Sequence, residues 1–153
     1  MPSTDKGRPI IVVASGVFDL IHYGHLRYLE EAKKAGGEDS KLVVVVARDS
    51  TVKRLKGKKP VIPEDQRRAI VEALKPVDEA ILGYEDLNIK EVVRKIKPDI
   101  VAVGHDQEFI EDSLKEVASR GEPKFRIVKI REFATSDLNS SSKIKRRIIK
   151  EWK

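Results

Sequence analysis

Short runs of β-branched residues alternate along this chain with longer segments whose apolar side chains recur at helical spacing. The short runs predict five strands, at residues 10–14, 42–47, 79–82, 99–103 and 125–130. The longer segments predict helices at residues 25–35, 64–74, 89–96, 110–118 and 141–152. Residues 42–47 are apolar throughout, as is typical of a strand that is covered on both faces of its sheet.

Strands that are separated by helices are joined by right-handed crossovers, and such crossovers produce a mainly parallel sheet. We therefore expect an α/β fold, a Rossmann-like three-layer sandwich with a mainly parallel five-stranded sheet. No internal repeat, linker or low-complexity tract interrupts the alternation. Residues 1–153 are accordingly expected to form a single domain.

The composition excludes several classes of protein. The chain is 40% hydrophobic and 37% charged, which is typical of a folded globular protein and not of a disordered one. Its apolar runs are too short to span a bilayer, and residues 1–9 lack the apolar core of a signal peptide, so we expect a cytoplasmic protein without membrane contacts. The absence of cysteine excludes disulfides, thiolate metal sites and cysteine nucleophiles.

The formal net charge of +6 has three interpretations: affinity for nucleic acid, affinity for small anions such as nucleotides, or a lysine-rich surface of the thermophile type. Only three Tyr, four Phe and one Trp are available to stack on bases, and no strand has the pattern of an RNA-recognition motif. Nucleic acid is therefore not an expected partner. Charge alone does not decide between the other two interpretations.

The segment 16–25, which leaves the first predicted strand, carries the most distinctive candidate chemistry. Ligands of parallel α/β sheets bind beyond the carboxyl ends of the strands. A helix N-terminus there supplies backbone N–H groups that suit phosphate, and Gly24 would let the backbone approach a ligand closely. His22 and His25 add imidazole donors at the same place. Each of these residues is ordinary by itself, but their combination predicts a phosphate site.

The pattern G-x-F-D-x-x-H-x-G-H, placed between a strand and a helix, resembles the signature of the cytidylyltransferase-like nucleotidyltransferases. The resemblance extends from Ile11 to Ile149. It implies that His22 and His25 contact the triphosphate and stabilise the pentacoordinate phosphorus as it forms. It also implies a nucleotide site that includes these residues of the segment: Val17, Phe18, Asp19, His22, Gly24 and His25.

The same resemblance implies a divalent cation, Mg²⁺ or another, that is bound mainly through the phosphate oxygens of the nucleoside triphosphate. No carboxylate or third histidine lies at a matching local spacing to His22 and His25. We therefore expect no metal ligand from the protein itself.

A basic segment, residues 53–59, follows the second predicted strand and is interpreted as a charged loop. By composition alone it would be a solvated surface. The family has a mobile lysine-bearing loop at this place that reaches the triphosphate, and Lys56 is the first candidate for that role, with Lys58 and Lys59 as alternatives. The family also has an E-x-R element at the start of the next helix, which Glu64 matches loosely with either Arg67 or Arg68.

Two further elements complete the resemblance. In Gly104-His105-Asp106-Gln107, Asp106 takes the position of an aspartate near the ribose or base, whereas His105 has no counterpart and is interpreted as an ordinary surface residue. The last predicted helix opens with Ser140 and Ser141, whose hydroxyls are expected both to cap the helix and to hold the β- and γ-phosphates. Asn139 stands where the family has isoleucine, and the spacing of Arg131 departs from the family pattern.

The chain resembles two branches of the family, which transfer the nucleotide to different acceptors. Glycerol-3-phosphate cytidylyltransferases, which use CTP, share the histidine motif, but residues 46–49, 56–64 and 72–83 are more similar to archaeal FAD synthases, which transfer AMP from ATP to FMN. We therefore expect transfer of AMP to FMN by a homodimer, with the cytidylyltransferase as the alternative and a non-catalytic nucleotide- or RNA-binding protein as a third. Tyr23 and Phe133 are candidate walls of a slot for the flavin ring.

Overall fold

The computed structural model describes residues 7–84, 88–121, 123–131 and 140–152. These residues form five strands: β1 (Ile11–Gly16), β2 (Lys41–Val46), β3 (Glu79–Leu82), β4 (Ile100–Gly104) and β5 (Arg126–Ile130). They also form six helices: α1 (Tyr23–Gly36), α2 (Asp49–Lys56), α3 (Glu64–Glu72), α4 (Ile89–Ile96), α5 (Glu108–Ser119) and α6 (Ser141–Glu151). Within the same ranges, no helix has both the length and the apolar content needed to cross a membrane.

The five strands form one sheet in the order β3-β2-β1-β4-β5, and every neighbouring pair is parallel. The predicted Rossmann-like α/β fold is thereby confirmed. The chain runs outward from β1 to β2 and β3 on one side, and then returns to place β4 on the other side. The carboxyl ends of β1 and β4 consequently flank the point at which the strand order reverses, where ligands of such sheets bind.

Alternate side chains of each strand face opposite layers of helices. On one face, Val12 and Ala14 pack in a core cluster with Leu29 of α1 and Val71 of α3. On the other face, Val13 packs in a separate cluster, and α4 and α5 cover the sheet there. The sheet lies between two helical layers, which is why its central strands are apolar at most positions.

The prediction of a loop over residues 53–59 is wrong in its first half, because Asp49–Lys56 is a helix. Few of its residues are apolar, so periodicity alone did not indicate a helix. A tertiary contact stabilises its start: the carboxylate of Glu64 accepts a hydrogen bond from the Asp49 N–H at 2.9 Å. Gly57 ends the helix with a φ of 82°, a left-handed conformation that glycine adopts readily. Lys56 is therefore the last helical residue, and only Lys58 and Lys59 lie in the loop.

The start of the first helix also differs from the prediction. The helix begins at Tyr23, two residues before the predicted start, and His22 is its N-cap. His25 consequently lies in the first helical turn, where its side chain has a fixed direction. By contrast, α4 has the predicted bounds of residues 89–96, because both of its ends carry local signals. The Asn88 side chain caps the start, and Pro98 follows the C-cap residue Lys97.

Candidate active site

The segment between β1 and α1 is held in a strained conformation. Phe18 and Leu20 have positive φ values of 56° and 50°, which for non-glycine residues cost about 1–3 kcal/mol each. The buried Phe18 ring packs so close to Gly16 that a Cβ atom there would lie 2.9 Å from it. The same ring contacts the His25 imidazole with centroids 5.4 Å apart. Gly16 is therefore required for the close packing that orients the segment.

The two histidines of the motif form a stacked pair at the N-terminus of α1. Their ring centroids lie 3.8 Å apart, and the His22 backbone N–H donates a hydrogen bond to Nδ1 of His25 at 3.2 Å. Because Nδ1 of His25 accepts this bond, the proton of the neutral ring resides on Nε2. His25 therefore has an N–H donor that is not used by the helix cap.

Both imidazoles are neutral in the free protein at pH 7. Burial lowers the pKa of His22, and it lowers the pKa of His25 to about 3, with a smaller contribution from His22 and an opposing one from Asp19. Nδ1 of His22 is buried and has no hydrogen-bond partner within the described part of the chain. Leaving a buried polar atom in this state costs about 1–3 kcal/mol.

Asp19 joins three segments of the chain. Its nearly buried carboxylate accepts hydrogen bonds from the N–H groups of Val61 and Ile62 at 2.8 and 2.9 Å. The same carboxylate forms an ion pair with Lys145 at 3.2 Å, and the Ser141 hydroxyl donates to the Asp19 carbonyl oxygen. Burial raises the pKa of Asp19, but these amide bonds and Lys145 outweigh it and hold the pKa below its usual value. The side chain thus binds protein groups on several sides.

Arg67 is the fully buried cation behind the site. Its guanidinium donates hydrogen bonds of 2.6–2.8 Å to the carbonyl oxygens of Val17, Ala47 and Ile62 and to the carboxylate of Asp49. Arg68 instead donates to the Ala80 carbonyl and forms an ion pair with Glu72 on the same helix. Of the two arginines that the sequence left open, Arg67 is the one that supports the site.

The end of β4 meets the end of β1 through Gln107. Its side-chain amide donates to the Ser15 carbonyl at 3.0 Å and accepts from the Gly104 N–H at 2.8 Å. No role was predicted for Gln107, although it is the last residue of the Gly104-His105-Asp106-Gln107 element that resembles the family. His105 and Asp106 are both exposed, and both line the cavity described below.

The start of α6 combines a helix cap with a contact to the first loop. The Ser140 hydroxyl accepts a hydrogen bond from the Lys143 N–H at 3.2 Å, so the predicted cap is confirmed. The Ser140 proton remains for a second acceptor, whereas the Ser141 proton is donated to Asp19. No role in the site was predicted for Lys145. Its position four residues after Ser141, which places both residues on one face of the helix, could have indicated one.

These elements surround one cavity of about 1,020 Å³ at the carboxyl ends of the strands. All the residues predicted for the site line it: Val17, Phe18, Asp19, His22, Gly24, His25, Lys56, Asp106, Ser140 and Ser141. Lys58, Lys59, Arg131 and Lys145 line it as well. The structure thus brings together residues from segments far apart in the chain, while their contacts with a ligand remain predictions.

Tyr23 and Phe133 were predicted as the walls of a slot for the flavin ring. Tyr23 is 57% exposed and does not line the cavity. Tyr23 lies two positions before His25 in the helix, so that its side chain projects roughly 200° away from the histidine around the helix axis. Phe133 lies outside the described residues, as does Asn139.

The family model described as cytidylyltransferase-like matches residues 13–147, and the chain belongs to this family. Among its relatives, the FAD synthase of Ferroglobus placidus is 52% identical over 138 residues, covering 90% of this chain and 87% of that protein. The FAD synthase of Methanothermus fervidus is 51% identical over 136 residues, covering 89% of this chain and 92% of that protein.

Solved structures agree with the fold. The crystal structure of the lipopolysaccharide core biosynthesis protein from Thermoplasma volcanium is similar with a TM-score of 0.72 and 45% sequence identity, covering 81% of this chain and 98% of that one. A protein of unknown function from Archaeoglobus fulgidus has a TM-score of 0.61 at 23% identity, covering 83% of this chain and 93% of that one. The second similarity concerns the fold alone.

Proposed function

We propose that this protein is an FMN adenylyltransferase, which transfers AMP from ATP to FMN and releases FAD and pyrophosphate. The observation that carries the proposal is the stacked, neutral histidine pair facing a cavity of about 1,020 Å³ that is also lined by lysines. The choice of ATP and FMN is supported by relatives named FAD synthase that are about half identical to this chain.

The arrangement suits a triphosphate. The N-terminal turns of α1 and α6 both border the cavity, so that backbone N–H groups and the positive ends of two helix dipoles face the same space. Five lysines add positive charge to its walls: Lys56, Lys58, Lys59, Lys90 and Lys145. Donors and cations on several sides are what a polyphosphate chain requires.

In the proposed reaction, a phosphate oxygen of FMN attacks the α-phosphorus of ATP. The new P–O bond forms as the bond to the bridging α–β oxygen breaks, and both electrons of the broken bond leave with pyrophosphate. Negative charge increases on the α-phosphate and on the leaving group, where Nε2–H of His25 and the side chain of His22 donate hydrogen bonds. A neutral imidazole donates such bonds without requiring a proton from solvent, and the fixed donors need no reorganisation during the reaction.

A divalent cation is part of the proposal. Across the described ranges, no group of three or more His, Asp or Glu side chains is placed to hold a metal ion. The carboxylate of Asp19 is already bonded to two amides and Lys145, while Asp106 is exposed at the cavity. These donors fit Mg²⁺ that enters with the triphosphate and keeps phosphate and water oxygens as ligands, and its charge would offset that of the phosphates.

The family resemblance further supports a cytoplasmic homodimer as the working form of the protein. Sedimentation equilibrium at assay concentrations tests the dimer directly. A monomer that has full activity would contradict it.

The activity is tested with a panel of substrates and purified protein in the presence of Mg²⁺. ATP and CTP are each combined with FMN and with glycerol-3-phosphate, and pyrophosphate release is followed. ATP with FMN is expected to give FAD. Chromatography identifies the product, and flavin fluorescence falls as FMN is converted into FAD. CDP-glycerol formation without FAD would favour the alternative cytidylyltransferase, and no pyrophosphate from any pair would favour a nucleotide-binding protein.

A further inference from the structure

One side of the cavity is apolar and open. Leu55, at the end of α2, is 60% exposed, and Phe109, in the first turn of α5, is 71% exposed. Both line the same cavity as the histidine pair. Single exposed apolar side chains are common on protein surfaces, but apolar side chains that line a cavity together are typical of a ligand site.

The wall behind these two side chains belongs to the packed core. Ile89 and Ile110 pack against the cluster that joins α4, α5 and β4, and Tyr84 packs with Ile89 against the neighbouring cluster on β1 and β2. All three line the cavity. We call this wall the apolar half of the cavity; it consists of Leu55, Tyr84, Ile89, Phe109 and Ile110. Tyr84, Ile89 and Ile110 are held by the core and do not need to reorganise on binding.

Other residues that line the same cavity have a different chemistry. We call this set the phosphate half; it consists of Asp19, His22, His25, Lys58, Lys59, Ser140 and Lys145. Phe18, which orients the histidines, packs in the core cluster on the other face of the sheet. The two halves are therefore backed by core clusters on opposite faces of one sheet: the histidines through Phe18, and the apolar half through Tyr84, Ile89 and Ile110.

We propose that the apolar half binds the isoalloxazine ring of the acceptor, with Phe109 and Leu55 covering the ring. This inference rests on the proposed function. A cavity of about 1,020 Å³ is at the upper limit of the usual range for one small molecule, about 300–1,000 Å³, and suits two substrates bound side by side.

The chemistry of the ring decides between the two substrates. Isoalloxazine is a flat three-ring system with a dimethylbenzene edge that needs apolar contact, whereas adenine presents ring nitrogens along most of its edges. Asn88 also lines the cavity, next to Ile89: its Oδ1 accepts from the Glu91 N–H at 3.3 Å, which leaves its NH₂ group as a donor for a flavin carbonyl.

The test uses Phe109→Ala and Leu55→Ala in the full-length protein. Each variant is expected to raise the KM for FMN about tenfold, because it removes apolar contact area from the ring. The KM for ATP is expected to stay within about twofold of the wild-type value. Phe109→Tyr keeps a flat ring and is expected to retain the wild-type KM for FMN. Ile70→Ala, which shortens an exposed aliphatic side chain on α3 outside the cavity, is the matched control.

Direct titration of FMN fluorescence, with and without an ATP analogue that has a methylene between its α- and β-phosphorus atoms, separates binding from turnover. Weaker FMN binding by Phe109→Ala than by Ile70→Ala is expected. A raised KM for ATP with unchanged FMN binding would overturn the inference by assigning the apolar half to adenine, and unchanged values for both substrates would also overturn it.

Wild-type protein that forms FAD while these variants behave as wild type refutes the inference alone. Wild-type protein that neither binds nor converts FMN refutes the proposed function, and the inference with it.

Discussion

The two halves of the cavity are stabilised in different ways. Behind the phosphate half, buried polar groups are bonded to one another: Arg67 to three carbonyl oxygens and Asp49, and Asp19 to two amides and Lys145. In the apolar half, Leu55 and Phe109 extend into the open space from helix ends.

The difference follows from the ligand chemistry of each half. Phosphoryl chemistry gains from donors that are fixed before the reaction, because each reorganisation of a dipole in the transition state adds to the barrier. An apolar ring needs contact area, which forms as water leaves on binding. We therefore expect substitutions behind the phosphate half to affect stability and turnover, and substitutions in the apolar half to affect acceptor binding.

The largest expected effect concerns Arg67. Arg67→Met removes a fully buried guanidinium and leaves several carbonyl oxygens without a donor, so the free energy of unfolding should fall by about 3–5 kcal/mol. Urea denaturation measures the change. Arg68→Met is the control, because its guanidinium is partly exposed and pairs within its own helix, and it should cost less than about 1 kcal/mol. Equal losses in both variants would mean that Arg67 does not organise the phosphate half.

The histidine pair should show the largest effect on turnover. His22→Ala and His25→Ala are each expected to lower kcat by about 10²-fold or more, because each removes a donor to the transition state. Single-turnover assays with saturating substrates measure the chemical step. Tyr23→Ala lies between the two histidines in sequence but outside the cavity, and it should keep wild-type turnover. A folded histidine variant with unchanged kcat would remove the pair from the mechanism.

Asp19 provides a sharper test, because its carboxylate contacts protein groups at the edge of the cavity. Asp19→Asn keeps one carbonyl acceptor but loses the charge that pairs with Lys145, so we expect about a tenfold increase in the KM for ATP. If the two residues act as a pair, Lys145→Gln should have a similar effect and the double variant should add little to either. Additive effects would indicate separate contacts with the nucleotide.

The smallest expected effect is a pH dependence of stability. The pKa of His25 is about 3 in the folded protein and about 6.5 when unfolded, so the unfolded chain binds more protons between these values. The resulting stability is present above about pH 6.5 and is lost as the pH falls toward 3. His25→Asn, whose amide oxygen can accept the His22 N–H bond, should lose less stability than the wild type between pH 7 and pH 5, as measured by thermal melting. Parallel curves would show that burial does not depress this pKa.

Local patterns were sufficient for most of the fold. Apolar β-branched runs predicted all five strands, because burial on both faces of a sheet imposes continuous apolar runs. The bounds of α4 were also predicted correctly, because both of its ends carry local signals. The helix α2 was missed, since its tertiary contacts through Glu64 stabilise it more than any apolar stripe. Periodicity detects helices that are stabilised by burial and overlooks those stabilised by capping.

For the site, the sequence by itself determined the motif residues, because the spacing of His22 and His25 around Gly24 places both imidazoles at one helix N-terminus. The choice of Arg67 over Arg68 needed the tertiary structure, because adjacent helical residues point about 100° apart and only the packing shows which direction is inward. The apolar half likewise combines α2, the end of β3, α4 and α5, which are distant in sequence. Whether an exposed apolar side chain faces a cavity or only solvent depends on how such elements pack, and no local pattern in the chain encodes that.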